Sequence, residues 1–273
     1  MSKNIQIAIA GANGKMGTLL SELIDSKDGF EVSEIIDRKA WASYKVRNTF
    51  KDIKANYLFI FVPASAVRGF IKKLWIDHRD NPDAEIRGLK GIVIGSSGLI
   101  RDDHERIREY AEKNNIIACV IPNFSIGAIY QKMIAKKLYD NFDSLSIIEK
   151  HNIKKNDYPS GTTIDLVNSL EDEEFYKPIG SKKIKGTIEE ETIEEETNVP
   201  NKKIKSVKSI RSQEYMAEQI VNFENEHENL IIEHIVNDRK AYLAGINLVL
   251  DSLGKMSGFY LGLESILKNR FKI

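Results

Sequence analysis

Residues 151–162 run His-Asn-Ile-Lys-Lys-Asn-Asp-Tyr-Pro-Ser-Gly-Thr and place an imidazole, two ammonium groups and a tight turn within twelve positions. Imidazole and ammonium groups can hand a proton to a reaction intermediate near neutral pH. Thr162-Thr163-Ile164-Asp165 has the capping-box pattern, which predicts a helix opening at the Ser-Gly-Thr turn with Thr162 as its cap. The N–H groups of that first turn, with the Ser160 and Thr162 hydroxyls, would form a compact site for an anion such as a carboxylate. His151, Lys154 and Lys155 lie just upstream, on a strand end and its loop, where they would bind a second negative charge and supply a proton. A surface loop that is merely basic is the reading these residues alone leave open.

The strand that delivers this stretch starts near Ser144, and the elements before it alternate. Ile5 to Ala10 reads as a short strand ending in Gly11-Ala12-Asn13-Gly14-Lys15-Met16-Gly17. Leu19, Leu20, Leu23 and Ile24 then recur at helical spacing. Further strands are expected at 31–36, 57–62, 91–94 and 116–121, with helices around 64–76 and 103–113. Strands alternating with helices imply a parallel sheet with ligands at the carboxyl ends of its strands. After a helix through 162–170, the polar run 179–205 is expected to be a solvated loop or edge hairpin. Strands follow at 204–210, 219–224 and 230–236, and apolar residues return at helical spacing over 244–267. The fold class is therefore α/β: a Rossmann-type dinucleotide-binding domain of residues 1–124 and 240–273, and an α+β domain of residues 125–239 with an open, mostly antiparallel sheet.

The glycine turn assigns a ligand to the first domain. Gly11 permits a tight exit from the strand, Gly14 lets backbone amides approach a pyrophosphate, and Gly17 allows the helix to lie against the sheet. Asn13 stands where a stricter pattern has glycine, and asparagine tolerates left-handed backbone geometry. A purely structural turn is the competing reading. The coincidence of strand, turn, helix and a second strand closing on Asp37 favours a dinucleotide. An acid there suits the ribose hydroxyls of NAD, and the adjacent Arg38 suits the 2′-phosphate of NADP, so NADH, NADPH or both are admitted.

Composition narrows the partners. Forty basic and forty acidic side chains among 273 residues give no long-range pull toward nucleic acid or anionic membrane, which favours a small-molecule ligand. The N-terminal apolar run is too short for a signal peptide and no stretch reaches the length needed to span a bilayer, so a soluble, cytoplasmic protein is expected. Cys119, the single cysteine, sits in the apolar run 116–121 and is expected to be buried and inert. His78, His104, His227 and His234 show no metal-ligand spacing with a third donor, and no metal is expected.

Together these motifs resemble the 4-hydroxy-tetrahydrodipicolinate reductase (dihydrodipicolinate reductase) family of lysine biosynthesis. That family carries a glutamate, two histidines, a lysine and Asp-Ala-Pro-Ser-Gly-Thr where this chain has Glu149-Lys150-His151-Asn152-Ile153-Lys154-Lys155-Asn156-Asp157-Tyr158-Pro159-Ser160-Gly161-Thr162. Supporting matches are the 11–17 turn, Gly95-Ser96-Ser97-Gly98, Pro122-Asn123-Phe124-Ser125-Ile126-Gly127, and Asp238-Arg239 ahead of Ala244-Gly245. The resemblance implies NAD(P)H-dependent reduction of a cyclic imine dicarboxylate in a homotetramer. His151 and Lys155 would be its proton donors, and Asn152, Ser160, Gly161 and Thr162 its substrate contacts. Cofactor contacts would fall on Gly11, Ala12, Asn13, Gly14, Lys15, Met16, Gly17, Asp37, Arg38, Gly95, Ser96, Ser97, Ile121, Pro122, Asn123 and Phe124. Domain closure hinged near 122–127 and near 240 would cover the nicotinamide.

The chain departs from the family on the substrate side. Asn152 replaces the second histidine, Tyr158 replaces a small alanine, and Arg211-Ser212-Gln213-Glu214 with Ala217-Glu218-Gln219 lacks the family's glycines and a further histidine. These changes keep two alternatives in view: a reductase of another cyclic imine or enamine, and a non-catalytic NAD(P)-binding module.

Overall fold

A computed structural model describes residues 4–37, 46–47, 53–80, 89–170, 182–183, 192–197 and 203–267. The chain divides into two compact units, Met1–Phe124 with Tyr242–Ile273, and Ser125–Ala241.

The first unit opens with β1 (Ile5–Ala10), α1 (Lys15–Asp25), β2 (Phe30–Ile36), β3 (Val46–Arg47), β4 (Tyr57–Ile60), α2 (Ala64–Asp80), β5 (Gly91–Ile94), α3 (Arg101–Asn114) and β6 (Ile117–Val120). Every residue of β4, β5 and β6 is buried, the signature of parallel strands covered on both faces. α1 turns Gly17, Leu20, Ser21 and Ile24 inward at three- and four-residue intervals. Asn115, at φ 50°, closes α3 in the left-handed conformation that asparagine tolerates.

The second unit holds α4 (Ile126–Leu138), β7 (Ser144–Asn152), β8 (Asp157–Tyr158), α5 (Gly161–Leu170), β9 (Lys182–Lys183), β10 (Thr192–Thr197), β11 (Ile204–Ser212), β12 (Ala217–Glu224) and β13 (Asn229–Val236). Its five-stranded sheet runs β10-β11-β7-β12-β13, with β11 and β7 parallel and the other pairings antiparallel. The sheet is thus mixed, with an antiparallel majority. Part of the polar run becomes its edge strand, β10. Leu145, Ile147, Val207, Val221 and Phe223 on one face pack with Leu166, Val167 and Leu170 of α5. Alternation sends Ile148, Ile210 and Ile220 to the opposite face, where they share cross-strand rows with Lys208 and Lys150.

The chain then returns to the first unit through α6 (Leu243–Ser252), β14 (Phe259–Leu261) and α7 (Glu264–Leu267). The helical periodicity expected over 244–267 is interrupted by β14, which pairs in parallel with β6 and completes the order β14-β6-β5-β4-β1-β2-β3. Strand order reverses between β1 and β4, so their carboxyl ends flank the switch point of a doubly wound sheet.

Candidate active site

Four loops leave the carboxyl ends of β1, β2, β5 and β6, and they carry the residues expected to hold a dinucleotide. Gly11 leaves β1 at φ +82°, and a Cβ there would lie 2.5 Å from the Phe61 carbonyl oxygen. At Gly17 a Cβ would lie 2.3 Å from the Gly11 carbonyl oxygen, so only glycine lets α1 start this close to the turn. Gly14 caps α1 in extended geometry, which leaves Lys15, Met16 and Gly17 as the first-turn amides. Asn13 is not left-handed; its exposed backbone N–H donates to Asp37 Oδ2 at 3.2 Å and fixes that carboxylate beside the turn. Arg38 lies outside the described residues.

At the end of β5, a Cβ on Gly95 would strike the Phe61 ring at 2.3 Å, which explains a glycine there by packing alone. Ser96 is buried and its hydroxyl donates to the Val62 carbonyl at 2.5 Å, whereas Ser97 is exposed. Ala12, Ile121 and Phe124 are buried, Pro122 is exposed and Asn123 half-buried. A glycine-shaped opening, a helix N-terminus and a fixed carboxylate one strand away fit the pyrophosphate and ribose of NAD(P)H.

In the second unit, Glu149 lies on β7 in line with Leu145 and Ile147 and is wholly buried. Such a charge survives only with partners. Arg211, 1% exposed on β11, places Nη2 2.7 Å from Glu149 Oε1. The Ser160 N–H donates to both carboxylate oxygens at 3.0 and 2.9 Å, and the Thr163 hydroxyl donates to Oε2 at 2.6 Å. Gln219 Nε2 donates to the Thr163 hydroxyl oxygen at 2.7 Å. Arg211 also donates to the backbone carbonyls of Lys155 at 3.3 Å and Asp157 at 2.6 Å. Burial alone would raise the Glu149 carboxyl; the His151 ring, the guanidinium and the hydrogen bonds from Ser160 and Thr163 outweigh it and hold it down at about 2.

His151 follows two residues later on the same face, with Nδ1 buried, without a hydrogen-bond partner, and 3.9 Å from Glu149 Oε2. Burial, more than the opposing pull of Glu149, lowers the imidazole to about 4, and Arg211 and Lys155 add to the lowering. In this state the ring is neutral at pH 7. The ammonium of Lys155 lies 2.8 and 2.9 Å from the Asp157 carboxylate oxygens.

The helix opening differs from the sequence pattern. α5 begins at Gly161 and its cap is Ser160, whose hydroxyl accepts from the Thr163 N–H at 3.3 Å; Thr162 is already the second helical residue. Asn152 forms an Asx turn of its own. Its side chain accepts from the Lys154 N–H at 3.2 Å and donates to the Gln213 carbonyl at 3.4 Å, serving its own turn. His104 is half-buried, and His234 Nε2 lies 3.1 Å from Ser125 Oγ. Among the described residues no group of three or more His, Cys, Asp or Glu is placed to hold a metal ion, and no helix is long and apolar enough to cross a membrane.

A doubly wound sheet with a glycine turn at its switch point, accompanied by a unit that gathers an imidazole, an ammonium group and a helix opening, defines a nicotinamide-dependent oxidoreductase. The family model described as dihydrodipicolinate reductase, N-terminus, matches residues 5–124, and that described as dihydrodipicolinate reductase, C-terminus, matches residues 127–267. The 4-hydroxy-tetrahydrodipicolinate reductase of Geobacillus thermodenitrificans (strain NG80-2) is 32% identical over 275 residues, spanning 97% of this chain and 99% of the relative. The enzyme of that name from Legionella pneumophila (strain Paris) is 28% identical over 96% of this chain and 99% of its own length. The solved structure of a dipicolinate-bound dihydrodipicolinate reductase from Paenisporosarcina sp. TG-14 shares the fold at a TM-score of 0.72, with 21% identity over 96% of this chain and 99% of that one. The chain belongs to the dihydrodipicolinate reductase family.

Proposed function

We propose that the chain reduces 4-hydroxy-tetrahydrodipicolinate to tetrahydrodipicolinate with NADH or NADPH, within diaminopimelate and lysine biosynthesis. The observation that carries this reading is the cluster of His151, Lys155 and the Ser160–Thr162 helix opening around one buried ion pair, in a chain that matches the family in both halves. A similar protein is solved with dipicolinate bound, which suits a cyclic dicarboxylate as the ligand of this cluster.

Bound NAD(P)H supplies the hydride. The Gly11–Gly17 turn, Asp37, the Gly95–Ser97 turn and Ile121–Phe124 hold and orient it. Loss of the 4-hydroxyl as water leaves a conjugated C=C–C=N ring; hydride addition to that system leaves electron density on a ring carbon and nitrogen, and a positioned proton donor that protonates it lowers the barrier. Lys155 holds a proton at Nζ for this purpose, and His151 contributes a ring nitrogen. The amides of Gly161 and Thr162 open α5 toward a carboxylate, while the Ser160 N–H is committed to Glu149. Asn152 acts by shaping the turn that carries Lys154 and Lys155.

The protein is further proposed to be a cytoplasmic homotetramer, assembled through the sheet face that carries Ile148, Ile210 and Ile220 and the exposed Ile231 and Ile235 (61% and 47%). Light scattering of the purified chain tests the assembly. The activity test is oxidation of NADH and NADPH with substrate generated in place from pyruvate and aspartate semialdehyde. Turnover with either cofactor is expected. Cofactor binding without turnover would assign the site to a different cyclic imine.

A further inference from the structure

We propose that Glu149 and Arg211 are positioning residues for the reaction: one buried ion pair sets the tautomer of the His151 ring and holds the backbone at Lys155 and the opening turn of α5 in a single arrangement. The inference rests on the function proposed above and adds residues that touch neither substrate nor cofactor in it.

The geometry is a hub. Glu149 receives the Ser160 N–H on both oxygens and the Thr163 hydroxyl on one, so the carboxylate sets where α5 begins. Arg211 gives one nitrogen to Glu149 and clamps the carbonyls of Lys155 and Asp157, so the guanidinium sets the path of the loop. His151 shares its strand and face with Glu149 and sits opposite Arg211 in the β7–β11 register. The Lys155 backbone and the α5 opening are thereby held from one point, with the His151 ring 3.9 Å from the same carboxylate.

Stability alone is a poor reason for such a pair. Desolvating two charges costs about as much as their attraction returns, and an apolar replacement of similar volume is often as stable. What a buried pair supplies is a fixed geometry for the groups bonded to it. The charged groups facing His151 are Glu149 on its own strand, Arg211 on β11, Lys155 on the following loop and Asp157 on β8. Of these, Glu149 lies 3.9 Å from Nδ1. A carboxylate there favours the ring tautomer with its proton on Nδ1, which leaves Nε2 as the nitrogen available to substrate.

Glu149→Gln keeps the size and one of the two acceptor oxygens but removes the charge. The ring ¹⁵N shifts of His151, assigned by their loss in His151→Gln, are expected to show the Nδ1–H tautomer in the parent and a mixture in Glu149→Gln. Turnover is expected to fall at least about tenfold with the KM for NAD(P)H unchanged, and adding His151→Gln should cost less than about threefold more, because the two groups act as a unit. An unaltered tautomer in Glu149→Gln, or kcat losses that multiply in the double variant, would overturn the proposal. Should Glu149→Gln fail to fold, Thr163→Val leaves the ion pair intact while removing one donor. It should keep the Nδ1–H tautomer and raise the substrate KM severalfold, and an unchanged KM counts against the hub. If the parent lacks turnover altogether, the functional reading falls, while the tautomer and its response to Glu149→Gln still decide the positioning role.

Discussion

Lys155 and Asp157 are two residues apart in the chain and face each other in space, the lysine ammonium bridging both carboxylate oxygens at 2.8 and 2.9 Å. With side chains 29% and 38% exposed, the pair is worth at most about 1 kcal/mol to folding, so its value lies in where it holds the ammonium. Lys155→Ala is expected to lower kcat by about 10²–10⁴-fold. Asp157→Asn should leave the unfolding midpoint nearly unchanged and lower kcat by roughly ten- to a hundredfold, through misplacement of the lysine. Steady-state kinetics beside thermal unfolding separate the two effects.

Burial lowers His104, His151 and His234 alike, and His151 contributes the largest part of the acid sensitivity. Its folded value of about 4 lies below the ordinary 6.5, so between these the unfolded chain binds more protons and stability falls as pH drops from about 6.5 to about 4. Glu149, at about 2 against an ordinary 4.5, extends the loss from about pH 4.5 downward. Urea midpoints measured from pH 7 to pH 4 should decline in the parent and decline less steeply in His151→Gln.

Asp37 is held by the Asn13 N–H at the end of β2, where its carboxylate can accept from ribose hydroxyls. Asp37→Ala is expected to raise the KM for NADH by about tenfold, the worth of one charge-assisted hydrogen bond, and to affect NADPH less. Parallel titrations with the two cofactors check this, and equal losses would remove Asp37 from the ribose site.

Two glycines on helices make opposite predictions. Gly17→Ala drives a methyl to 2.3 Å from the Gly11 carbonyl oxygen and should cost about 1–3 kcal/mol along with most cofactor affinity. Gly69 on α2 has nothing within 4 Å of a Cβ, and Gly69→Ala should stabilise by about 0.5–1 kcal/mol. Chemical denaturation of both variants tests the pair.

Much of the first unit was legible because its signals are local. A strand, a glycine turn and an amphipathic helix lie within twenty-one residues, and β4 and β5 are short apolar runs. β14 escaped because three residues too few to show a period lie between helical segments, and only pairing with β6 makes them a strand. The cap moved from Thr162 to Ser160 because Glu149 captures the Ser160 N–H from eleven residues away, a tertiary contact that a four-residue pattern does not contain. Glu149 and Arg211 are 62 positions apart, and nothing in either local sequence names the other. One signal did exist: alternation on β7 aligns Glu149 with Leu145 and Ile147, and a carboxylate on the apolar face of a strand calls for a cation across the sheet.

Cys119 is the chain's only thiol, buried without exposure in β6, and burial pushes it up to about 12. For spectroscopy this makes the surface a blank: maleimide dyes and spin labels meet no competing sulfur at neutral pH. Glu109→Cys on α3 and Lys137→Cys on α4 would place one label on each unit at exposed positions. A doubly labelled chain then serves as a ruler, reporting how the separation of the two units responds as cofactor and substrate are added.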